Sequence, residues 1–387
     1  MAKKKDNKKK SKVAKQKRQL RHFPSAQRFS FFLLSIILVF YTLIAAKLFL
    51  YPIALAVLFA YLLFPVSNWL EKNKFPRILA ILISEIIMLM IITGAGLFIY
   101  RKVGTFVGDF PEFRAKALSN IDGLESRLGQ IFGITDLSLA GILRTRVAGL
   151  FDAGSNFFRN ALTATTGTIF RIAILPVFIF LFLYYRTKFA YFILKLVDDN
   201  ERMVAIDTLR GVSKVVSRYM GGVFIVVIIL AIINSSAFML IGLKYAMVFG
   251  VIAAIWNFIP YFGTIIGFSF PFAFAALTGD SPNMALKVLV IFLSVQFLEN
   301  YILTPNIVGN YVKLNPFIII LGLIAGGLVW GLPGMFVVIP TLAAIRVICE
   351  HNRVLQPYVY LLGTTGAKKH AITAENIKHF IHRIRKK

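Results

Sequence analysis

The chain of 387 residues has one cysteine, Cys349, five histidines and only 17 acidic residues. A single cysteine excludes an intrachain disulfide and argues against a thiolate metal site. His22, His351, His370, His379 and His382 all fall in or near the basic ends of the chain. Histidine catalysis or a histidine metal site inside the apolar body is therefore not expected. No Walker loop, GxGxxG, HExxH, paired CxxC or GxSxG is present. The chain reads as a non-enzyme that uses neither a cofactor nor a metal, and any active transport through it draws on an ion gradient rather than on ATP. Charged residues make up only 16%, against about 25% in a soluble domain. Apolar residues reach 58% and phenylalanine alone numbers 37, more than a soluble core needs. The expected fold class is all-α: a polytopic integral membrane helix bundle with about eight membrane segments.

The formal charge of +27 is concentrated at the ends. Residues 1–28 hold twelve Lys/Arg against Asp6, and residues 368–387 hold seven against Glu375. By composition 1–28 is a disordered basic tail. No aromatic residues interleave its lysines, so contact with anionic lipid headgroups is favoured over nucleic acid. A cleaved signal peptide is not expected, because a second apolar run follows the first almost at once. Both tails are placed in the cytoplasm by the positive-inside rule, in a multi-pass protein of a bacterial inner membrane.

Five regions follow: the tail 1–28; three spans within 29–100; an amphipathic helical insertion, 101–163; a transmembrane core, 164–350; and a basic tail, 351–387. The first two spans meet near Lys47–Pro52, and Glu71–Arg77 is a short cationic loop. In the insertion, Phe110, Phe113, Ala117, Ile121, Leu124, Leu128 and Ile131 recur at helical spacing. Such a stripe packs on the bundle, on headgroups or on a neighbouring subunit. Residues 186–218 are basic and amphipathic, ahead of an uncharged span at Tyr219–Leu243.

Two blocks are too long to be simple spans. Tyr245–Gly279 and Leu314–Ile345 carry no charge, and as straight helices they would measure about 52 and 48 Å against a hydrocarbon core of about 30 Å. Each must tilt, break or fold back, crossing the membrane or forming a re-entrant hairpin. Each contains a breaker: Ile259-Pro260-Tyr261-Phe262-Gly263 in the first, Gly326–Gly334 with Pro333 in the second. Small-xxx-small pairs cluster there, at Gly263/Gly267, Gly322/Gly326 and Gly327/Gly331. Helix breaks at membrane depth are tolerated inside protein or beside a water-filled cavity, and transporters bind solutes at them.

The polar residues inside the apolar body are few. Gln296, Glu299 and Asn300 have spacings that put them on one helical face. An ionised carboxylate facing lipid is costly, so Glu299 should face the interior. It serves either as a proton or cation switch or as a boundary residue tying down the loop at Pro305. Glu85 lies in the third span and is read either as a transport-pathway candidate or as structural, paired with Arg171, Arg346 or Lys47. Asn257 stands three residues before Pro260, which makes it a further transport-pathway candidate.

The block GLKYAMVFGVIAAIWNFIPYFGTIIGFSFPFAFAAL resembles the Asn-x-Ile-Pro-Tyr-x-Gly block of the autoinducer-2 exporter family of bacterial membrane proteins. LENYILTPNIVG and the stretch through Pro340 resemble that family's closing blocks, and Pro52–Leu70 its early span. The resemblance covers about residues 50–350. It places motif positions at Asn257, Pro260, Tyr261, Gly263, Gly267, Glu299, Asn300, Pro305, Gly309, Leu314, Pro316, Gly326, Gly327, Gly331, Gly334 and Pro340. Asn315 departs from the pattern, since relatives often carry a polar residue such as His there. The family includes proteins described as autoinducer-2 exporters and others described as sodium/proton antiporters. The resemblance thus implies a permease that exports a small polar solute or exchanges cations, working as a homo-oligomer. The alternative is a membrane scaffold that binds partners through 101–163 and transports nothing.

Overall fold

In lipid no water is available for backbone N–H and C=O groups, so a spanning segment has to satisfy its own, and helix is the only open-chain way to do so. The computed structural model describes residues 25–132, 137–162, 166–279, 283–309 and 313–364. Among the described residues there are no strands beyond an isolated bridge between Leu314 and Gly363. The basic tails expected to touch anionic lipid lie largely outside the described residues.

The helices in order are α1 (Ser25–Ala45), α2 (Lys47–Lys72), α3 (Arg77–Gly108), α4 (Phe110–Phe132), α5 (Leu137–Leu162), α6 (Thr166–Lys195), α7 (Arg202–Leu240), α8 (Ala246–Trp256), α9 (Phe262–Thr278), α10 (Asn283–Leu298), a π-helical segment (Glu299–Val308), α11 (Pro316–Trp330), α12 (Leu332–His351) and α13 (Gln356–Leu362). Six helical stretches among the described residues are long and apolar enough to cross a membrane, and four shorter apolar helices accompany them. Large apolar side chains are exposed all along α1 and on the outward faces of α3 and α6, as suits a surface solvated by lipid rather than by water. The protein is a multi-pass helical membrane protein.

Both long blocks break where their prolines and glycines stand. The first divides into α8 and α9, the second into α11 and α12, and the halves of each pack on one another. At 11 residues, α8 is about 16 Å long, too short to cross the hydrocarbon core. Elsewhere helices run on further than the apolar pattern suggests. The third span continues to Gly108 as one 32-residue helix, about 48 Å long, because nothing between Tyr100 and Gly108 breaks it. Of the basic stretch 186–218, residues 186–195 end α6 and residues 202–218 are continuous with the span that follows, in the 39 residues of α7.

Inside lipid, helices associate through close packing rather than through exclusion of water. Small residues set the contacts here. A Cβ on Gly267 would lie 2.9 Å from Ala253 Cα, and one on Gly326 would lie 2.7 Å from the Gly334 carbonyl oxygen. These two contacts close the α8–α9 and α11–α12 hairpins.

The amphipathic insertion is the antiparallel pair α4–α5, and the described part of its apolar stripe is used on the bundle. Phe110, Phe113, Ala117 and Ile121 are buried; the side chains of Leu124, Leu128 and Ile131 lie outside the described set. Asn120 Nδ2 donates to the carbonyls of Leu277 (2.9 Å) and Gly279 (3.3 Å) at the end of α9. An aromatic cluster completes the joint. Phe106 lies 5.0 Å from Phe110, 5.2 Å from Tyr245, 5.4 Å from Phe249 and 6.0 Å from Phe274, measured between ring centroids. Removing a buried ring of this kind costs about 3–5 kcal/mol. Phe106→Ala is expected to lower unfolding stability in detergent by that amount and to open α4–α5 to protease. A loss under about 1 kcal/mol would mean that other contacts hold the insertion in place.

A polar latch lies beside the same cluster. Tyr245, at a left-handed backbone position, hydrogen-bonds the Asp109 carboxylate, and Lys244 Nζ sits 3.5 Å from Asp109 and 3.4 Å from Glu112. The Tyr245 hydroxyl, chiefly, and Lys244 hold the Asp109 carboxyl below the ordinary carboxylate range. A depressed carboxyl contributes stability above its unfolded value, about pH 4, and loses that contribution as pH falls through the lower folded value. Protease sensitivity of α4–α5 is expected to be flat from pH 8 to about 5 and to rise below about 4. In Tyr245→Phe the Asp109 carboxyl returns towards its ordinary value, so sensitivity should be higher at neutral pH and its rise below about pH 4 smaller.

Candidate functional site

The end of α8 tightens before it breaks. Asn257, Phe258 and Ile259 each donate to the carbonyl three residues back, at 3.0–3.2 Å, a 3₁₀ turn closing an α-helix. Tyr261 then adopts φ 67°, ψ −59°, and Phe262 N donates to Pro260 O at 2.8 Å. That is a γ-turn of the rare positive-φ kind, a strained conformation. The chain reverses within five residues, and Gly263 is pressed against the Trp256 carbonyl.

Opposite this break, α10 passes into the π-helical segment Glu299–Val308, which contains Pro305 and ends at Gly309 with φ 67°, ψ −172°. Only glycine adopts that conformation readily. Proline has no N–H to donate, and the wider i→i+5 winding accommodates it. The segment lies directly on α7: a Cβ on Gly222 would be 3.0 Å from Val308 Cα and 3.2 Å from the Ile307 carbonyl oxygen. The sequence reading missed Gly222, and the Gly221-Gly222 pair inside an apolar run was the available signal.

The two elements meet at Glu299. Asn257 Nδ2 donates to Glu299 Oε1 at 2.6 Å, and Gln296 Nε2 lies 3.4 Å from Glu299 Oε2. Three predicted site residues, 42 positions apart in the chain at their widest, thus form one partly buried carboxylate–amide cluster. Asn300 is exposed and stands apart from it. The straight-helix spacing that put Asn300 on the same face is lost because winding changes at Glu299. Glu299 is held by neutral amides, with no Lys or Arg paired to it among the described residues. Glu71, by contrast, meets Arg186 Nη2 at 2.5 Å.

The second break packs against the first through apolar side chains. Phe258, in the first break, meets Phe336, in the first turns of α12, edge to face at 5.3 Å. Trp256, Leu323, Ile339 and Met335 belong with them to one core. Gly331, with φ 67° and ψ −140°, turns the chain between α11 and α12. Beside it, Trp330 Nε1 donates to the Leu43 carbonyl at 2.9 Å, tying this corner to α1. Asn315 caps α11 by accepting from Phe317 N at 3.1 Å.

Glu85 lies elsewhere, 5% exposed and packed beside α6. One carboxylate oxygen has no partner, and the Phe180 backbone lies against the group. Among the described residues none of the predicted ion pairs forms. Arg346 is bound instead to Glu350 at 2.9 Å and to the Lys313 carbonyl. Lys47 is not among the partners of Glu85, and the Arg171 side chain lies outside the described residues. No group of three or more His, Cys, Asp or Glu able to hold a metal occurs among the described residues.

A multi-pass helical bundle with two helix breaks packed together, and a carboxylate–amide cluster at one of them, has the architecture of a permease. The chain belongs to the AI-2E family: the family described as AI-2E family transporter matches it over residues 31–353. It is 28% identical over 322 residues to the protein named "Putative transport protein YrrI" of Bacillus subtilis (strain 168), covering 78% of this chain and 85% of the relative. It is 25% identical over 312 residues to "Putative transport protein YueF" of the same organism, covering 76% and 82%. To "AI-2 transport protein TqsA" of Escherichia coli (strain K12) it is 25% identical over 316 residues, covering 80% and 88%. These matches bear out the family resemblance and the permease-like, transmembrane reading.

Proposed function

We propose that this chain is a secondary permease in which Glu299, with Asn257 and Gln296, binds and releases a proton or small cation as a small polar solute or counter-ion crosses. The observation that carries the reading is the 2.6 Å hydrogen bond between Asn257, at the α8–α9 break, and Glu299, at the start of the π-helical segment. A carboxylate withdrawn from water is costly unless a positive charge compensates it. Here its partners are neutral donors, so compensation is left to a mobile cation or a proton. Helix breaks of this kind are where transporters place their ion and solute sites. The scaffold reading draws little support from Phe110, Phe113, Ala117 and Ile121, which are already packed on the bundle, and rests on Ile142, Leu143 and Leu150 of α5, which are exposed.

In the same reading the protein is a homo-oligomer of a bacterial inner membrane with both termini in the cytoplasm, consistent with an even number of spans. Its basic tails touch anionic headgroups. The test is flux through full-length protein in proteoliposomes. With a pH-sensitive dye inside, an external sodium pulse is expected to change internal pH in protein-containing vesicles only. If correctly folded protein produces neither that change nor movement of small polar solutes, autoinducer-2 included, the permease reading falls.

A further inference from the structure

At one end of the bundle, where the α2–α3 turn meets α6, three cations converge. Arg77 donates from Nη2 to the Leu183 carbonyl at 2.9 Å and from Nη1 to Thr187 Oγ1 at 3.2 Å. Arg186 binds Glu71 and lies 4.9 Å over the Phe64 ring. Lys188 Nζ is 5.7 Å over Tyr185, and Arg77 is 6.0 Å over Tyr184. The exposed Lys72 and Lys74 of the turn stand close by in sequence. Among the described residues one acid, Glu71, faces these charges. Arg77 Nε and Arg186 Nη1 are buried without a hydrogen-bond partner. Only Arg186 is ion-paired with that carboxylate, while Arg77 is met by a carbonyl and a hydroxyl, so the two guanidiniums are under-compensated.

Two cavities adjoin this corner and share Thr187. One, about 470 Å³, is lined by Arg77, Lys188 and the two tyrosines. The other, about 510 Å³, runs between α2, α6 and α7 and is mostly apolar, lined by Val57, Phe64, Phe182, Phe189 and Ile193, with Arg186 among its few polar groups. A cationic pocket opening beside an apolar groove matches an amphiphile with an anionic head. Tyrosines at this level mark the membrane–water boundary, where basic pockets between helices receive lipid headgroups.

We propose that this corner binds an anionic phospholipid, its phosphate against Arg77, Arg186 and Lys188 and one acyl chain in the α2–α6–α7 groove. The site is independent of the basic tails and of Glu299. The test is native mass spectrometry of the full-length protein in neutral detergent, titrated with phosphatidylglycerol, phosphatidylcholine and inorganic phosphate. Phosphatidylglycerol is expected to bind at least tenfold more tightly than phosphatidylcholine. Each cation near the headgroup is worth about fivefold. Lys188→Gln should therefore weaken phosphatidylglycerol about fivefold, and the Arg77→Gln/Lys188→Gln pair about 25-fold. Lys195→Gln, on the same helix but outside both cavities, should change nothing. Equal binding of the two lipids, or wild-type affinity in Lys188→Gln, would overturn the proposal. So would full displacement of phosphatidylglycerol by millimolar phosphate, which would mark a site for the free anion. Should the double variant fail to fold, Lys188→Gln decides the matter alone, since that side chain is exposed.

Discussion

Glu299→Gln is expected to reduce ion-coupled flux in proteoliposomes to the level of protein-free vesicles while leaving the protein folded. Glutamine keeps the shape of the side chain and still offers a carbonyl to Asn257, whose bond is the short one at 2.6 Å. Its amide group meets the Gln296 amide, already distant at 3.4 Å, so the misfit costs about 1–3 kcal/mol at most. What disappears is the charge. Any cycle in which a cation or proton sits on this carboxylate loses its site, and residual flux below a tenth of wild type is expected. Gln296→Ala should be milder on both counts, because it removes only the longer contact. Wild-type flux with an unchanged pH dependence in Glu299→Gln would remove the carboxylate from the mechanism and leave it as a bracket between the break and the π-helical segment.

Gly263→Ala is expected to have the largest effect on the fold. A Cβ at this position would overlap the Trp256 carbonyl group, which is backbone and has no room to yield. Relief requires reopening the reversal between α8 and α9, including the strained turn at Tyr261 and the Gly263 N to Ile259 O hydrogen bond of 2.7 Å. Asn257 would move with it, away from Glu299. The expected result is poor recovery of monodisperse protein, or a melting temperature lowered by 10 °C or more. The control is Gly104→Ala, where nothing lies within 4 Å of the added carbon. There the smaller entropy loss should leave stability unchanged or raised by about 0.5–1 kcal/mol. Equal melting temperatures for Gly263→Ala and wild type would show that the reversal is not held as tightly as the geometry requires.

Composition and periodicity, read locally, were enough for the class and the breaks. Long uncharged runs dictate helices because lipid offers the backbone no alternative partner, and a 35-residue apolar block with Pro260 and Gly263 at its middle exceeds the membrane unless it breaks there. The pairing of Asn257 with Glu299 was legible only as two separate oddities, each a polar group in an apolar run. Neither spacing nor pattern brings residues together across an intervening helix. Asn300 shows the same limit from the other side. Its helical spacing to Gln296 held only as long as the winding stayed α, and Pro305 changed the winding.

Charge was the least legible property. Glu85 invited an ion pair, yet it is packed against apolar side chains and the α6 backbone. Arg186 and Glu71, 115 residues apart, carried no signal at all. That this is a helical membrane protein, where its helices break and which few polar residues lie within them were all readable in the chain, because each follows from the solvent a segment must face; the AI-2E family was readable from its motif blocks alone. Which of those residues meet, that the insertion is docked on α9, and that a cationic corner opens beside an apolar groove came only with the packing of the helices. Such contacts depend on how closely two helices approach, and that is set by glycines whose partners lie far away in the chain.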